Sequence, residues 1–133
     1  MKRNADITVH SRGETCTVRG AVEETAGGVR VVYEEPASLG MGGVETALTV
    51  RGGVAELTRT GAVRCAFRFE AGKPHSSVYE TPHGSFPAEI ETHSVRTRLG
   101  ARGGIIELRY RLTLGGAADE HRLRLLVRTE EEA

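Results

Sequence analysis

The chain contains few of the residues that mark specialised classes of protein. Its 133 residues include 2 cysteines, no tryptophan and only 5% aromatic side chains. Two thiols are too few for a disulfide framework, and they lack metal-ligand spacing. The 18 basic and 18 acidic side chains balance, so no overall field draws the protein toward nucleic acid or an anionic membrane. We therefore expect a globular protein in which Cys16 and Cys65 are small buried residues.

Long hydrophobic runs are also missing. The charged residues 1–6 are not followed by an apolar stretch, so we expect no signal peptide. Every apolar run is far shorter than the ~20 residues that a membrane-spanning helix needs. We therefore predict a single cytoplasmic domain over residues 1–133, with an acidic tail at 130–133 that frays in solution.

The sequence does show apolar and polar residues that alternate with a period of two along most of its length. This period is typical of strands that bury one face. Turn residues separate the alternating stretches at intervals of roughly 8–12 residues, as in an all-β sandwich or barrel. Closing such a sheet removes its exposed edges. The pattern therefore predicts an all-β, antiparallel meander β-barrel of roughly 8–10 strands.

Three stretches allow more specific predictions. Gly52-Gly53 separates two alternating runs and suits a primed hairpin turn, because both residues can take positive φ. Residues 117–128 have helix propensity, but their apolar positions recur every second residue, with Leu126 as the exception. We predict a strand there and keep a helix as the alternative. Further alternating runs cover 86–92 and 95–99.

Several short motifs connect the chain to a known group of proteins. They are Tyr33-Glu34-Glu35, Arg59-Thr60-Gly61, Phe69 followed by Gly72, the segment Tyr79-Glu80-Thr81-Pro82-His83-Gly84-Ser85-Phe86, Thr92, and Tyr110-Arg111-Leu112. Through their order and spacing, most of the chain resembles the YwiB-like family of small bacterial proteins of unknown function. The resemblance implies a calycin-like, lipocalin-like barrel with a central cavity, and it carries no established catalytic residues. Such a shape suits a small, partly apolar ligand, although a fold does not define a function.

The segment 79–86 contains the first candidate site. Pro82 fixes its own φ and holds Thr81 extended, while Gly84 can supply a positive φ. One interpretation is therefore a shaped turn between two strands. The other is functional: Tyr79, Thr81 and His83 would stand at a barrel mouth, where a phenol, a hydroxyl and an imidazole could orient a ligand.

Arg59 is the second candidate. Its place in the alternating pattern predicts an inward guanidinium, and a buried charge must be paired or solvated. Glu34 or Glu35 could pair with it, or Arg59 could anchor the carboxylate of a ligand. The complete set of predicted ligand-binding residues is Tyr33, Arg59, Tyr79, Thr81 and His83.

The last two predicted strands carry arginines on their outer face. We call Arg109, Arg111, Arg122 and Arg124 the arginine stripe. Like charges on facing positions destabilise a sheet, so we expect glutamates of a neighbouring strand (Glu89 and Glu91), a partner protein or an anion to offset them. The outer positions hold no aromatic residues, which argues against RNA. The stripe suggests an alternative function in protein interaction or homo-oligomerisation.

The remaining motifs give little support to catalysis or to a cofactor. The five histidines form no HxH or HExxH pair, and only His121 has inward parity, so we expect no metal. Gly40-Met41-Gly42-Gly43 precedes a strand rather than a helix, which argues against a phosphate loop and suggests a lid. GxSxG is absent. The sequence therefore favours binding of a small ligand over catalysis.

Overall fold

The chain folds entirely into β-strands over the residues that the computed structural model describes, which are 2–11, 13–35, 43–100 and 102–130. The strands are β1 (Lys2–Ser11), β2 (Glu14–Thr25), β3 (Gly28–Glu34), β4 (Val44–Arg51), β5 (Val54–Gly61), β6 (Cys65–Glu70), β7 (Pro74–Thr81), β8 (Gly84–Gly100), β9 (Gly103–Leu114) and β10 (Ala117–Thr129). Most of the predicted lid (40–42) and the tail at 131–133 lie outside the described residues. The described part contains no helix with the length and apolarity to cross a membrane.

The strands form a meander whose first and last members meet. β1 pairs antiparallel with both β2 and β10, so the sheet order is β6-β5-β4-β3-β2-β1-β10-β9-β8-β7. β6 and β7 complete the circle through bridges between Arg64 and Glu80 and between Glu70 and Lys73. We call this boundary the β6–β7 seam. The structure is a nearly closed ten-stranded barrel, which confirms the predicted all-β fold.

Apolar side chains fill the middle of the barrel. In the β9–β10 hairpin, Leu108 lies opposite Leu123 and Ile106 opposite Leu125, and all four are buried. Side chains from the other strands complete this core, among them Ile7, Val31, Leu48, Leu57, Phe69 and Ile90. Each such side chain stabilises the fold by about 1.5–3 kcal/mol through removal from water. The central cavity implied by the resemblance therefore does not run through the barrel.

The two ends of the barrel differ in character. The connections after β1, β3, β5, β7 and β9 lie at one end, the upper end, and those after β2, β4, β6 and β8 lie at the lower end. The lower end holds a cleft of ≈ 750 Å³ that is lined by Val22, Val29, Val95 and Leu99 among others. The upper end contains most of the polar side chains that point into the barrel.

β8 is one long strand that changes phase at a β-bulge. Thr92 pairs with Tyr110 and Ser94 with Arg109, which leaves His93 as the extra residue. The inward face therefore continues from Thr92 to Val95 instead of Ser94. The alternating runs at 86–92 and 95–99 belong to this single strand.

Two other local predictions are confirmed. Gly52 and Gly53 have φ values of 56° and 79° and join Arg51 to Val54 in a two-residue hairpin, as expected for a primed turn. The segment predicted as a strand over 117–128 is β10 and not a helix. Cys65 is buried, as expected, whereas Cys16 is only partly buried.

Candidate functional site

Adjacent strands bring polar residues together inside the upper end. The register places Tyr33 opposite Thr46, Thr46 opposite Arg59, and Arg59 opposite Cys65. Glu35 directly follows β3, and its backbone N–H is fixed by a 2.8 Å hydrogen bond to β4. Directly opposed residues share one face of a sheet, and here it is the inner face. We call Tyr33, Glu35, Thr46 and Arg59 the Arg59 cluster.

Glu35, and not Glu34, is the carboxylate that pairs with Arg59. Its Oε2 lies 3.5 Å from Arg59 Nε and also accepts a hydrogen bond from the Thr46 hydroxyl. Glu35 is only 5% exposed, whereas Glu34 lies on the outer face and is exposed. The predicted inward orientation of Arg59 is therefore confirmed, and its charge is balanced inside the barrel wall.

The protonation states in the cluster follow from burial and pairing. Burial is the largest single effect and lowers the pKa of Arg59, but Glu35 together with the nearby Cys65, Tyr33 and Tyr110 outweighs it, so the pKa is raised. Burial raises the pKa of the Tyr33 phenol far above its usual range, and Glu35 adds to the shift. Burial also raises the pKa of the Cys65 thiol, against the effect of Arg59. The cluster thus presents a guanidinium cation and a neutral phenol, and the thiol of the neighbouring Cys65 is not an activated nucleophile.

Some buried polar atoms inside the barrel have no hydrogen-bond partner among the described residues: Tyr33 Oη, Arg59 Nε and Thr92 Oγ1. Arg59 Nε is within ion-pair distance of Glu35, but not in hydrogen-bond geometry. Tyr33 is 2% exposed and Thr92 is 4% exposed. A buried polar group without a partner costs about 1–3 kcal/mol, so such groups mark a place that a bound molecule or water completes.

A row of aromatic rings lies beside these polar atoms. Tyr79 stacks on Phe67 at 6.3 Å, Phe67 meets Phe69 edge-on at 6.5 Å, and Phe69 contacts Tyr110 at 4.7 Å between ring centroids. His121 stacks on Tyr110 at 5.4 Å with an interplanar angle of 10°. We call these five rings the aromatic ladder.

Tyr110 joins the aromatic ladder to the polar residues. It lies opposite Thr92 in the register of β8 and β9. Its phenol is also close enough to Tyr33 and Arg59 to contribute to the pKa values of both. The upper end therefore combines hydrogen-bonding groups with a planar apolar wall.

The β6–β7 seam opens beside the Arg59 cluster. A groove of ≈ 510 Å³ is lined by the inward residues Arg59 and Cys65 as well as by Ser77 and Val78, and Val78 is exposed. The Ser77 hydroxyl donates a 2.6 Å hydrogen bond to the carbonyl of Ala66 across the seam. The groove therefore extends from the outer surface to residues that face the interior.

The structure separates the predicted site residues into two groups. Tyr33 and Arg59 belong to the Arg59 cluster, and Tyr79 belongs to the aromatic ladder. The Thr81 hydroxyl accepts a hydrogen bond from His83 N–H and donates one to the Gly84 carbonyl, both at 3.1 Å. His83 itself is exposed. Thr81 thus shapes the turn between β7 and β8, which is the structural alternative considered above.

Sequence reasoning did not assign three residues to the site: Thr46 was treated only as part of an alternating strand, and Thr92 and Tyr110 were also noted as motifs of the family resemblance. A signal for two of them was present. Thr46 and Thr92 are hydroxyl-bearing residues in rows whose other inward members, such as Leu48 and Ile90, are apolar. Both threonines are buried. An inward polar residue in an apolar row is therefore a useful marker of such a site.

The histidines lie apart from one another. His121 faces inward as predicted, but His75 is also half-buried, with Nε2 3.6 Å from a Glu70 carboxylate oxygen, so the expectation that His121 alone has inward parity was wrong. His93 bonds Glu120 on the outer face at 2.6 Å. Over the described ranges, no group of three or more potential metal ligands is present.

On the outer face, one glutamate lies among the arginines. Glu107 accepts hydrogen bonds from Arg109 Nε at 3.3 Å and from Arg122 Nε and Nη2 at 3.2 and 3.0 Å. Arg109 and Arg122 are directly opposed, as predicted. Burial opposes ionisation of Glu107, but Arg122 and Arg109 outweigh it and lower its pKa. We call these three residues the Glu107 cluster.

The carboxylates that offset the stripe therefore differ in part from those expected. The central one, Glu107, lies on the same strand as Arg109. Of the two glutamates named from the sequence, Glu91 lies opposite Arg111, whereas Glu89 lies opposite Thr113.

Comparisons with known proteins identify the family. A family model described as a domain of unknown function (DUF1934) matches residues 3–125. The chain belongs to the DUF1934 family. The crystal structure of the ywiB protein from Bacillus subtilis is similar to this DUF1934 chain, with a TM-score of 0.69 and 18% identity over 98% of this chain and 91% of that one. The structural match shows a shared fold. Together with the family model, it confirms the YwiB-like resemblance. No curated protein matches the chain.

Proposed function

We propose that this DUF1934 protein binds a small molecule at the upper end of the barrel. The polar head of the molecule would lie against the Arg59 cluster, and its apolar, planar body against the aromatic ladder. The observation that carries the proposal is the pair of buried hydroxyls without hydrogen-bond partners, at Tyr33 and Thr92. A ligand that hydrogen-bonds these atoms would remove the cost of leaving them unpaired. Rings beside a few polar groups are typical of small-molecule sites.

The energetics of the cluster support a binding role. A buried ion pair usually stabilises a fold no more than well-packed apolar side chains of similar volume. The strands around the Arg59 cluster fill the rest of the barrel with apolar residues. Placing Arg59 and Glu35 in that interior therefore brings little stability, and a role in ligand recognition accounts for their presence.

Native mass spectrometry of the full chain, purified from its own host, tests this proposal. We expect added mass from a retained small molecule, and loss of that mass in Tyr33→Phe, which removes one partnerless hydroxyl. His83→Ala, at the exposed turn, serves as the matched control and should keep the ligand. If the wild-type chain carries no added mass and also fails to bind a neutral fluorescent naphthylamine, the proposal is wrong.

A second proposal concerns the outer face of β8, β9 and β10. Glu107 is hydrogen-bonded to Arg109 and Arg122, and it lies opposite Arg96 and Arg124 in the register. One carboxylate thus faces arginines on every side. Leu126, in the same outer region, is 37% exposed. This combination suits an acidic protein segment that carries an apolar residue. Such a segment supplies carboxylates for the arginines and an apolar contact for Leu126.

Binding of a labelled Glu/Leu peptide at low and high salt tests the second proposal. The double variant Arg96→Gln/Arg124→Gln should weaken binding, whereas Arg30→Gln/Arg51→Gln, on β3 and β4, should not. Affinity that does not change with salt or with the first double variant contradicts it. Light scattering on the same variants shows whether a second copy of the chain is the partner.

A further inference from the structure

We infer that Glu35 makes the upper-end site selective for a neutral head group and against a carboxylate. This inference rests on the proposed small-molecule function. Arg59 alone would suggest an anchor for an anionic ligand, since its guanidinium matches a carboxylate. The structure instead gives Arg59 a carboxylate from the chain itself, Glu35, at 3.5 Å.

The charge balance of the site is the first step. Glu35 and Arg59 have side chains that are 2% and 15% exposed, so water screens them little. Thr46 donates its hydroxyl to Glu35, so one oxygen of this carboxylate contacts both Thr46 and Arg59. The pair is neutral overall. A second carboxylate beside Arg59 would lie close to Glu35 in a low-dielectric setting, where repulsion between like charges is strong.

The geometry of Arg59 is the second step. A guanidinium binds a carboxylate best through two parallel N–H groups on one edge of its fork. Glu35 lies at Nε, so the edge that contains Nε already faces a carboxylate. The hydrogen-bonding groups that remain near the ladder are the neutral hydroxyls of Tyr33 and Thr92. Neutral donors of this kind match a carbonyl, an amide or a hydroxyl group.

The expected ligand class follows from these two steps. It is a neutral aromatic or heteroaromatic molecule that carries a carbonyl, amide or hydroxyl group. The flat rings at Phe67, Tyr79 and Tyr110 match such a body through stacking or edge contacts. Glu35 is then the residue that sets the specificity of the site.

Two fluorescent probes with the same ring system test the inference. N-phenyl-1-naphthylamine is neutral, and 1-anilinonaphthalene-8-sulfonate adds one negative charge. We expect the wild-type chain to bind the neutral probe at least about tenfold more tightly, which corresponds to about 1.4 kcal/mol. In Glu35→Gln, the preference should fall by about the same factor, because Arg59 then lacks its internal anion.

Matched variants separate this effect from simpler ones. Glu34→Gln removes the same charge one residue away on the exposed face, so its preference should equal that of the wild type. Glu35→Asp keeps the charge and should keep the preference. Tyr33→Phe should lower the affinity for the neutral probe. Such a loss would place the bound probe at the upper end. Circular dichroism confirms that each variant is folded.

The outcomes distinguish the inference from the proposed function. If the wild type prefers the anionic probe, or if Glu34→Gln behaves like Glu35→Gln, the role of Glu35 is overturned while ligand binding stands. If neither probe binds to any variant, the inference about Glu35 fails, and the proposed function fails with it when native mass spectrometry also shows no retained ligand. If Glu35→Gln does not fold, two measurements still test the role of Glu35. They are the preference of the wild type for the neutral probe and the retention of that preference in Glu35→Asp.

Discussion

The molecule contains two arginine–glutamate clusters whose glutamates are both buried and whose arginines differ in their contact with water. The Arg59 cluster lies inside the upper end, where Glu35 and Arg59 form a largely buried pair. The Glu107 cluster lies on the outer face, where Arg109 and Arg122 have side chains that are about half exposed. Arginine–glutamate pairs therefore occur in two different dielectric environments of this molecule. Inside, losing one partner leaves a dehydrated charge, whereas outside, water and salt replace much of the lost interaction.

The largest expected effect comes from breaking the inner pair. Arg59→Met should lower the free energy of unfolding by about 3–5 kcal/mol, because it leaves the Glu35 carboxylate buried without its cation. Urea denaturation followed by circular dichroism measures this value.

The control for that experiment is the double variant Glu35→Leu/Arg59→Met. It removes both charges and should recover most of the lost stability, since apolar replacements of a buried pair are often neutral or stabilising. A double variant that is as unstable as the sum of its single variants would show that Arg59 and Glu35 do not interact.

The next effect concerns the hydroxyl that completes the inner pair. Thr46→Val keeps the shape of the side chain but removes the hydrogen bond to Glu35. We expect a loss of about 1.5–3 kcal/mol, the usual range for a hydrogen bond to a charged group. Thr58→Val, at an exposed position of β5, is the control and should change the same unfolding free energy by less than about 0.5 kcal/mol.

A smaller effect is expected on the outer face. Glu107→Gln should lower the free energy of unfolding by about 1 kcal/mol, because the opposed Arg109 and Arg122 then lack a shared carboxylate. The loss should shrink in 1 M salt, which screens exposed charges, whereas the loss in Arg59→Met should persist. A salt-independent loss in Glu107→Gln would contradict the distinction between the two clusters.

The smallest effect is a dependence on pH. The pKa of Glu107 is lowered from its ordinary value of 4.5. Its contribution is therefore complete above that value and is lost as the pH falls through the lower, folded-state pKa. The difference in unfolding free energy between the wild type and Glu107→Gln should shrink as the pH is lowered from 5 to 3. A difference that stays constant over this range would show that Glu107 ionises normally. The pKa values of Arg59 and Tyr33 are raised, so neither titrates in that window.

The sequence was sufficient to predict the inner position of Arg59. A strand has a period of two, so one known inward residue fixes the orientation of the others on that strand. The same rule could have chosen Glu35 over Glu34, since Glu35 is two residues from the inward Tyr33. Thr46 could have been noticed in the same way.

Other features depend on tertiary structure. Thr81 and His83 are equally compatible with a turn and with a ligand-binding rim until their hydrogen bonds are known, and the Thr81 hydroxyl is used within the turn. The β6–β7 seam lies between two consecutive strands, where the alternating pattern alone would predict an ordinary hairpin, whereas the structure joins them through the bridges Arg64–Glu80 and Glu70–Lys73. The contact between Tyr110 and Phe69 likewise requires the three-dimensional arrangement of β6 and β9.

The bulge at His93 has a consequence for how this strand tolerates insertions and deletions. The inward positions before and after the bulge are out of phase by one residue, because Thr92 and Val95 both face inward although they are three residues apart. Deleting His93 would bring the two sets of inward positions into phase and keep every inward residue inward. Deleting Glu91 instead would make Ile90 and Thr92 neighbours on opposite faces, so one of these two buried residues would point to water.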